Sequence, residues 1–199
     1  ESQKDLKRKR GRKKSSLNSL KKTKILKEVE LSPEELLSQK GSIFCFNYGV
    51  KLFEENKNDI LTRAKALNYI RTASKEGFPE ASQQLLDCAI ILAKESHKLA
   101  TNIENSLNQM VNINPIDAED INTFFDIAKK LFKEVADSNS PGISYELKIE
   151  GCSLYSQMCY SGKGSEKSSS EEGLLYRKKA IKVVAKNLEE EEKLHEKKI

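Results

Sequence analysis

The side chains of this chain that could act as nucleophiles, bases or metal ligands are two histidines and four cysteines. His97 and His195 both lie in polar, helix-patterned stretches, and we expect both on the surface. A histidine base or metal site needs partner side chains close by, and the sequence offers none at a suitable spacing. We therefore predict no catalytic residue, metal, cofactor or small-molecule substrate. The cysteines form no CxxC pair, which indicates a reduced intracellular compartment: Cys45, Cys88, Cys152 and Cys159.

One short stretch has the spacing of a calcium-binding loop. Asp137, Asn139 and Gly142 occupy its first, third and sixth positions. The fifth position is Pro141, which has no side-chain oxygen, and the twelfth is Lys148 instead of the bidentate glutamate. We interpret the stretch as a structural turn and as a degenerate version of a calcium loop.

Residues 1–30 hold twelve Lys and Arg against four Asp and Glu, so the other residues sum to a net −3. With few large apolar side chains, this tail is predicted to be disordered. Its basic cluster could bind nucleic acid or act as a nuclear import signal, could contact an anionic membrane surface or acidic partner, or could have no dedicated role. The cluster consists of Lys7, Arg8, Lys9, Arg10, Arg12, Lys13 and Lys14.

The patterns after the tail are helical, except that the alternation of apolar residues from Phe44 to Phe53 would also permit a strand. Because that stretch has no pairing partner nearby, we interpret it as a helix, and the fold class predicted is all-α. Ser32-Pro33-Glu34-Glu35 is a helix start signal, and Gly77 and Pro79 end one helix and begin the next. We expect the helix after Pro79 to extend along the surface beyond Ala93. The organisation predicted is a disordered basic tail (1–30), a helical repeat region (31–114), a helical pair with the calcium-like turn (115–160), and a loop with a C-terminal amphipathic and charged helix (161–199).

The last helix combines apolar and basic side chains. Such a basic amphipathic helix is typical of calmodulin targets, and packing of its apolar face in the core is the alternative. The residues concerned are Leu174, Arg177, Lys178, Ile181 and Lys182.

The sequence matches itself at a shift of 107 residues. Cys45 then meets Cys152, and Tyr48 meets Tyr155. A shift of this size corresponds to about three helical-hairpin repeats, each of which would bury the apolar face of its neighbour. The other matching pairs are Leu67 and Leu174, Tyr69 and Tyr176, Arg71 and Lys178, Ala73 and Ala180, and Lys75 and Lys182.

Residues 66–77, with Ala81 and Leu85, resemble the second helix of a Sel-one-like repeat, a relative of the tetratricopeptide repeat. Residues 160–164, with Tyr176 and Ala180, resemble that family's Gly-x-Gly loop and following helix. The resemblance implies stacked helical hairpins with a concave groove that binds proteins. The partner-binding residues predicted are Tyr48, Tyr69, Arg71 and Lys75.

Residues 34–160 are also similar to the cytosolic N-terminal region of the wolframin family, including a degenerate EF-hand-like unit from Phe124 to Glu150. This similarity implies a module on the cytosolic side of the endoplasmic reticulum, linked to calcium homeostasis and ER stress, with membrane spans beyond residue 199. The alternative is a nuclear or nucleic-acid-associated adaptor that uses the basic tail.

Overall fold

The computed structural model describes residues 31–108, 115–140, 142–164 and 169–196. Within these ranges the chain forms helices and no strand, which confirms the all-α prediction. The basic tail, including its cluster at residues 7–14, lies outside the described residues. The helices are α1 (Pro33–Lys40), α2 (Ser42–Glu55), α3 (Ile60–Lys75), α4 (Pro79–Asn108), α5 (Pro115–Asp137), α6 (Tyr145–Ser161) and α7 (Ser170–Glu196).

The first helix begins at the start signal that the sequence contains. The Ser32 hydroxyl accepts the Glu35 N–H at 3.2 Å, and the Glu35 carboxylate accepts the Ser32 N–H at 2.7 Å. This reciprocal capping box satisfies two backbone donors that a helix start leaves unpaired, and Pro33 fits the first turn because it has no N–H. Leu36 is then buried in full, which attaches the short helix to the rest of the protein.

Replacing Ser32 with alanine should destabilise the first helix by about 1 kcal/mol, because the Glu35 N–H then loses its acceptor. Amide hydrogen exchange of α1 measures the loss directly, and urea unfolding measures its share of global stability. Ser38→Ala is the matched control, because Ser38 lies within the exposed face of the same helix. Equal protection of α1 in the two variants would contradict the capping role.

The junction between α3 and α4 also forms where the sequence predicts it. Gly77 adopts a positive φ of 80°, which a residue with a Cβ rarely does. The N–H of Phe78 reaches back to the Ala73 carbonyl at 3.3 Å, and the N–H of Gly77 to that of Ser74 at 3.0 Å. These bonds satisfy the last carbonyls of α3, and α4 begins at Pro79 two residues later.

Consecutive helices pack on each other, and one continuous core runs through the chain from α2 to α7. Its centre is aromatic, since Phe125 and Phe132 on α5 are each 1% exposed. Leu67 and Ile70 of α3 and Leu92 of α4 belong to the same core. Burying a side chain of this size contributes about 1.5–3 kcal/mol, so α5 is the element that most of the core depends on.

Helices two apart in the sequence also meet, on the α4–α6 side of the molecule. Lys94 of α4 forms an ion pair with Glu150 of α6, and Glu104, one turn from the end of α4, pairs with Lys163 just after α6. The contacts advance along both helices together, so α4 and α6 run in the same direction. Intervening α5 must then run the opposite way, in a second layer.

Two glycines permit the closest helix contacts. A Cβ on Gly49 of α2 would lie 2.8 Å from the Ile70 side chain and 3.0 Å from the Ala66 carbonyl oxygen. A Cβ on Gly151 of α6 would lie 2.8 Å from Val135 and 3.0 Å from a backbone nitrogen of α5. Because backbone atoms cannot turn aside, both helices depend on glycine at these points.

The second half of α4 differs from the prediction. Ser96 and Ala100 are fully buried and Leu107 is 9% exposed, so this part of the helix is packed and does not extend along the surface. His97 is half-buried with its ring edge-on to Phe125 at 5.6 Å, so the prediction of a surface histidine is wrong there. Burial, with the nearby Lys163 ammonium, lowers the pKa of His97.

Candidate functional site

A charged cavity of about 660 Å³ runs along the polar face of α5 and is the candidate site. One wall comes from α3 and the other from α6, while the apolar face of α5 lies in the core behind it. We call this cavity the α5 groove. It is lined by Arg71, Asp126, Lys129, Lys130, Lys133, Glu134, Asp137 and Tyr155.

An arginine fork holds the α3 wall against α5. The Nε and Nη2 atoms of Arg71 donate to the two carboxylate oxygens of Glu134 at 2.8 and 2.7 Å, while Nη1 donates to Asn68 at 2.6 Å. Such bidentate pairs fix both position and orientation. About a quarter of each side chain remains exposed, so the pair forms part of the groove surface.

The other wall carries a three-residue cluster from three helices. The Tyr155 hydroxyl on α6 donates to Glu172 of α7 at 2.7 Å, and the Lys133 ammonium on α5 donates to the same carboxylate oxygen at 2.9 Å. Hydrogen bonds from Tyr155 and then from Lys133 lower the pKa of Glu172. Burial, and then the bond to Glu172, raise the pKa of Tyr155.

A second cluster, in which aspartate replaces glutamate beside a tyrosine and a lysine, lies one turn further along α5. Tyr176 donates to both oxygens of Asp137 at 2.8 Å, and Lys179 donates to Asp137 at 2.7 Å. Burial alone would raise the pKa of Asp137, but the bonds from Lys179 and Tyr176 outweigh it and the pKa is lowered. Because contacts advance together along α5 and α7, these two helices are parallel, as α4 and α6 are.

The two clusters provide charge and hydrogen bonding, and they are poorly suited to proton transfer. At neutral pH the carboxylates of Glu172 and Asp137 are ionised, because each has a lowered pKa. The phenols of Tyr155 and Tyr176 remain protonated, since their pKa values are raised far above the ordinary range. In the described parts of the chain no group of three or more His, Cys, Asp or Glu side chains is arranged to hold a metal ion.

The structure brings one of the four predicted partner-binding residues into the α5 groove. Arg71 lines it, whereas Tyr48 and Tyr69 pack edge-to-face at 4.9 Å where α2 meets α3. The Tyr69 hydroxyl donates to the Leu31 carbonyl at 2.8 Å. This bond holds Leu31, the residue before the N-cap of α1, against α3. Lys75 is exposed in the last turn of α3.

Sequence reasoning missed the groove residues of α5. Asp126, Lys130, Lys133 and Asp137 lie at spacings of four, three and four, which is one stripe of a helix surface. The same amphipathic pattern that predicts the core face therefore also marks this polar stripe. A solvated face has the same pattern, so only the neighbouring helices distinguish a groove from open surface.

The calcium-like turn is occupied by a side-chain cation. The Lys148 ammonium donates to the Ser138 carbonyl at 2.8 Å and approaches the Asn139 side-chain oxygen at 3.4 Å. Asp137, the first position of the pattern, is directed instead to Tyr176 and Lys179. Lysine at the twelfth position thus places a positive charge on oxygens of the turn.

The apolar side chains predicted for a calmodulin-type helix lie outside the core. Leu174 is 44% exposed and Ile181 is 61% exposed, whereas Gly173, Tyr176 and Ala180 form the buried face of α7. The alternative in which these leucine and isoleucine side chains pack in the core is therefore wrong. The basic residues of the same prediction are exposed as well: Arg177, Lys178 and Lys182.

Comparisons with models of protein families, with curated proteins and with solved structures found no match to this chain.

Proposed function

We propose that this protein is a non-enzymatic helical-repeat scaffold that binds a segment of a partner protein in the α5 groove. The observation that carries the proposal is the groove itself, an open channel of about 660 Å³ bounded by three helices and lined by charges of both signs. A channel of this kind suits a peptide better than a small apolar ligand, since small-molecule sites are lined mainly by apolar side chains.

A tetratricopeptide-like arrangement is supported by contacts that recur at the 107-residue shift. Tyr155 and Tyr176 pack edge-to-face at 4.5 Å, and Tyr48 and Tyr69 do so at 4.9 Å. Parallel helices two apart in sequence, with antiparallel neighbours between them, are what stacked hairpins produce. On this proposal α2 with α3, α4 with α5, and α6 with α7 are the repeating units.

Close helix contacts recur at matching positions as well. Gly49 approaches the Ala66 carbonyl in the α2–α3 pair, and the Ser156 hydroxyl donates to the Gly173 carbonyl at 2.7 Å in the α6–α7 pair. Each position of the second pair lies 107 residues after its counterpart. Small residues on opposite helices thus allow the same close approach, which favours an origin by duplication.

We also propose that α5, the turn residues 138–140 and 142–144, and α6 form a degenerate EF-hand-like unit that has exchanged its calcium ion for the Lys148 ammonium. The support is the helix–turn–helix order together with the contacts of Lys148 to oxygens of the turn. A built-in cation cannot dissociate, so this unit would serve as a rigid wall of the groove.

The partner segment is expected to carry acidic side chains. Lys130 is exposed in the middle of the groove lining, whereas Arg71 and Lys133 are already paired with Glu134 and Glu172. An acidic side chain of the peptide would pair with Lys130, and electrostatic complementarity of this kind contributes to specificity and to the rate of association.

The similarity to the wolframin family leads us to propose the cytosolic side of the endoplasmic reticulum as the location, with a role in calcium homeostasis and ER stress. None of the helices in the described residues combines the length and apolar character needed to cross a membrane. A nuclear adaptor remains the second candidate, because the net charge of residues 1–30 would suit import or nucleic-acid binding.

A peptide-display selection against the purified protein tests the proposal. We expect enriched peptides to be acidic and to bind the Lys130→Glu variant at least about tenfold more weakly than the wild type, or about 1.4 kcal/mol. Lys98→Glu is the matched control, since it makes the same charge change at an exposed position of α4. A selection without enrichment, or peptides equally sensitive to both variants, would contradict binding in the α5 groove.

A further inference from the structure

A second cavity, of about 380 Å³, opens where the end of α2 and the start of α3 face the middle of α4. We call it the Arg63 cavity, and it shares no lining residue with the α5 groove. Phe53, Cys88 and Ile91 provide its apolar lining, and its volume falls within the range of small-molecule sites in proteins. The polar residues that line it are Glu54, Lys57, Arg63, Gln84 and Glu95.

Arg63 is only 5% exposed, which is unusual for an arginine. Its guanidinium carbon lies 4.0 Å from the centre of the Phe53 ring. The Nη1 atom donates to the Lys57 carbonyl at 3.4 Å and pairs with one carboxylate oxygen of Glu95. The Nε atom is buried and has no hydrogen-bond partner in the part of the chain that the structure describes. The guanidinium therefore retains hydrogen-bonding capacity that the surrounding residues do not use.

Glu95 is a counter-ion that another carboxylate can displace. Its side chain is 47% exposed, so it can turn into solvent without losing much packing. The pair joins a single nitrogen of Arg63 to a single carboxylate oxygen, unlike the two-point contact between Arg71 and Glu134. A carboxylate that approaches the Arg63 guanidinium with both oxygens would therefore form a stronger pair than Glu95 does.

We propose that the Arg63 cavity binds a small carboxylic acid that has an apolar body. The ligand carboxylate replaces that of Glu95 on the guanidinium, and because it is not attached to a helix it can bond with both oxygens. The apolar body then covers Ile91, which is 45% exposed, and lies beside Phe53. An anion of higher charge, such as phosphate, is disfavoured, since Glu54 and Glu95 also line the cavity.

A nuclear magnetic resonance titration of the full chain with hydrocinnamate tests the proposal. We expect shifts of the Ile91 methyl groups and of the amides of Phe53, Gln84 and Cys88, with a dissociation constant of about 1 mM for a ligand of this size. Hydrocinnamamide has nearly the same shape without the charge, so it should bind at least about tenfold more weakly. Equal binding of the acid and the amide overturns the proposal, and so does the absence of these shifts at about 10 mM acid.

Replacing Glu95 with glutamine separates a ligand site from a purely structural ion pair. The glutamine amide still accepts from Arg63 but no longer competes as an anion, so hydrocinnamate should bind the Glu95→Gln variant at least about threefold more tightly. Glu104→Gln is the matched control, since it makes the same charge change at another ion-paired glutamate of α4 and should leave the affinity unchanged. Unchanged or weaker binding to Glu95→Gln overturns the proposal, and so does a folded Arg63→Gln protein that binds hydrocinnamate as the wild type does.

Discussion

Replacing Gly151 with valine should lower the free energy of unfolding by about 2–3 kcal/mol, although valine is intrinsically a better helix former than glycine. The new Cβ would lie 2.8 Å from Val135 Cγ1 and 3.0 Å from the backbone nitrogen of Ala136. A side-chain carbon can turn aside, but a backbone atom moves only with its helix. Overpacking therefore outweighs the gain in helix propensity, and α6 must separate from α5.

Urea unfolding of five variants isolates this effect: Gly151→Val, Ser153→Val, Val135→Ala, Gly151→Ala and the double variant of the last two. Ser153→Val, at an exposed position of α6, is the matched control and should change stability by no more than about 0.5 kcal/mol. Combining Val135→Ala with Gly151→Ala should cost less than the sum of the two single changes, because the smaller side chain leaves room for the new methyl group. A Gly151→Val protein as stable as the wild type would contradict the close approach of α5 and α6.

Replacing Tyr176 with alanine should have the largest effect of any single change considered, about 3–5 kcal/mol. Its ring is 7% exposed and packs against Tyr155, and its hydroxyl donates to both oxygens of Asp137. Tyr176→Phe keeps the ring and removes only the hydroxyl, so it should cost about 1–2 kcal/mol. Tyr160→Phe is the control. Because Tyr160 is 48% exposed, this change should alter the free energy of unfolding by no more than about 0.5 kcal/mol.

The pH dependence of folding stability separates the electrostatic role of the Tyr176 hydroxyl from the packing of the Tyr176 ring. Asp137 has a lowered pKa in the folded state, so the stability it contributes is complete above its unfolded pKa of about 4. That stability is lost as the pH falls through the lower folded pKa. In Tyr176→Phe the folded pKa of Asp137 should rise toward the unfolded value, which makes the acid-dependent loss smaller. Urea titrations of both proteins from neutral to acidic pH measure this, and parallel curves would contradict it.

Helix boundaries were predictable because their signals are local. Ser32 with Glu35 caps α1, and Gly77 with Pro79 separates α3 from α4, all within a few residues of each other. The positions where these helices begin and end depend on backbone geometry and capping hydrogen bonds, and distant parts of the chain hardly affect them.

The candidate site was largely unpredictable because its contacts join distant residues. Arg71 and Glu134 are 63 positions apart, and nothing local distinguishes them from other charged helix residues. The burial of Ser96 and His97 has the same origin, since α4 is polar enough there to be exposed until α5 covers it. In α7 the reverse happened, since Ile181 has the apolar spacing of a core residue but is exposed. Apolar periodicity does not reveal which apolar face of a helix reaches the core.

Amide chemical-shift mapping with an acidic peptide from the display selection tests the central claim, that the α5 groove binds a partner segment. The expected shifts lie at Arg71, along residues 126–137 and at Tyr155, and Lys130→Glu should require at least about tenfold more peptide to produce them. Shifts confined to α7, or spread over the surface without the groove residues, would contradict the claim.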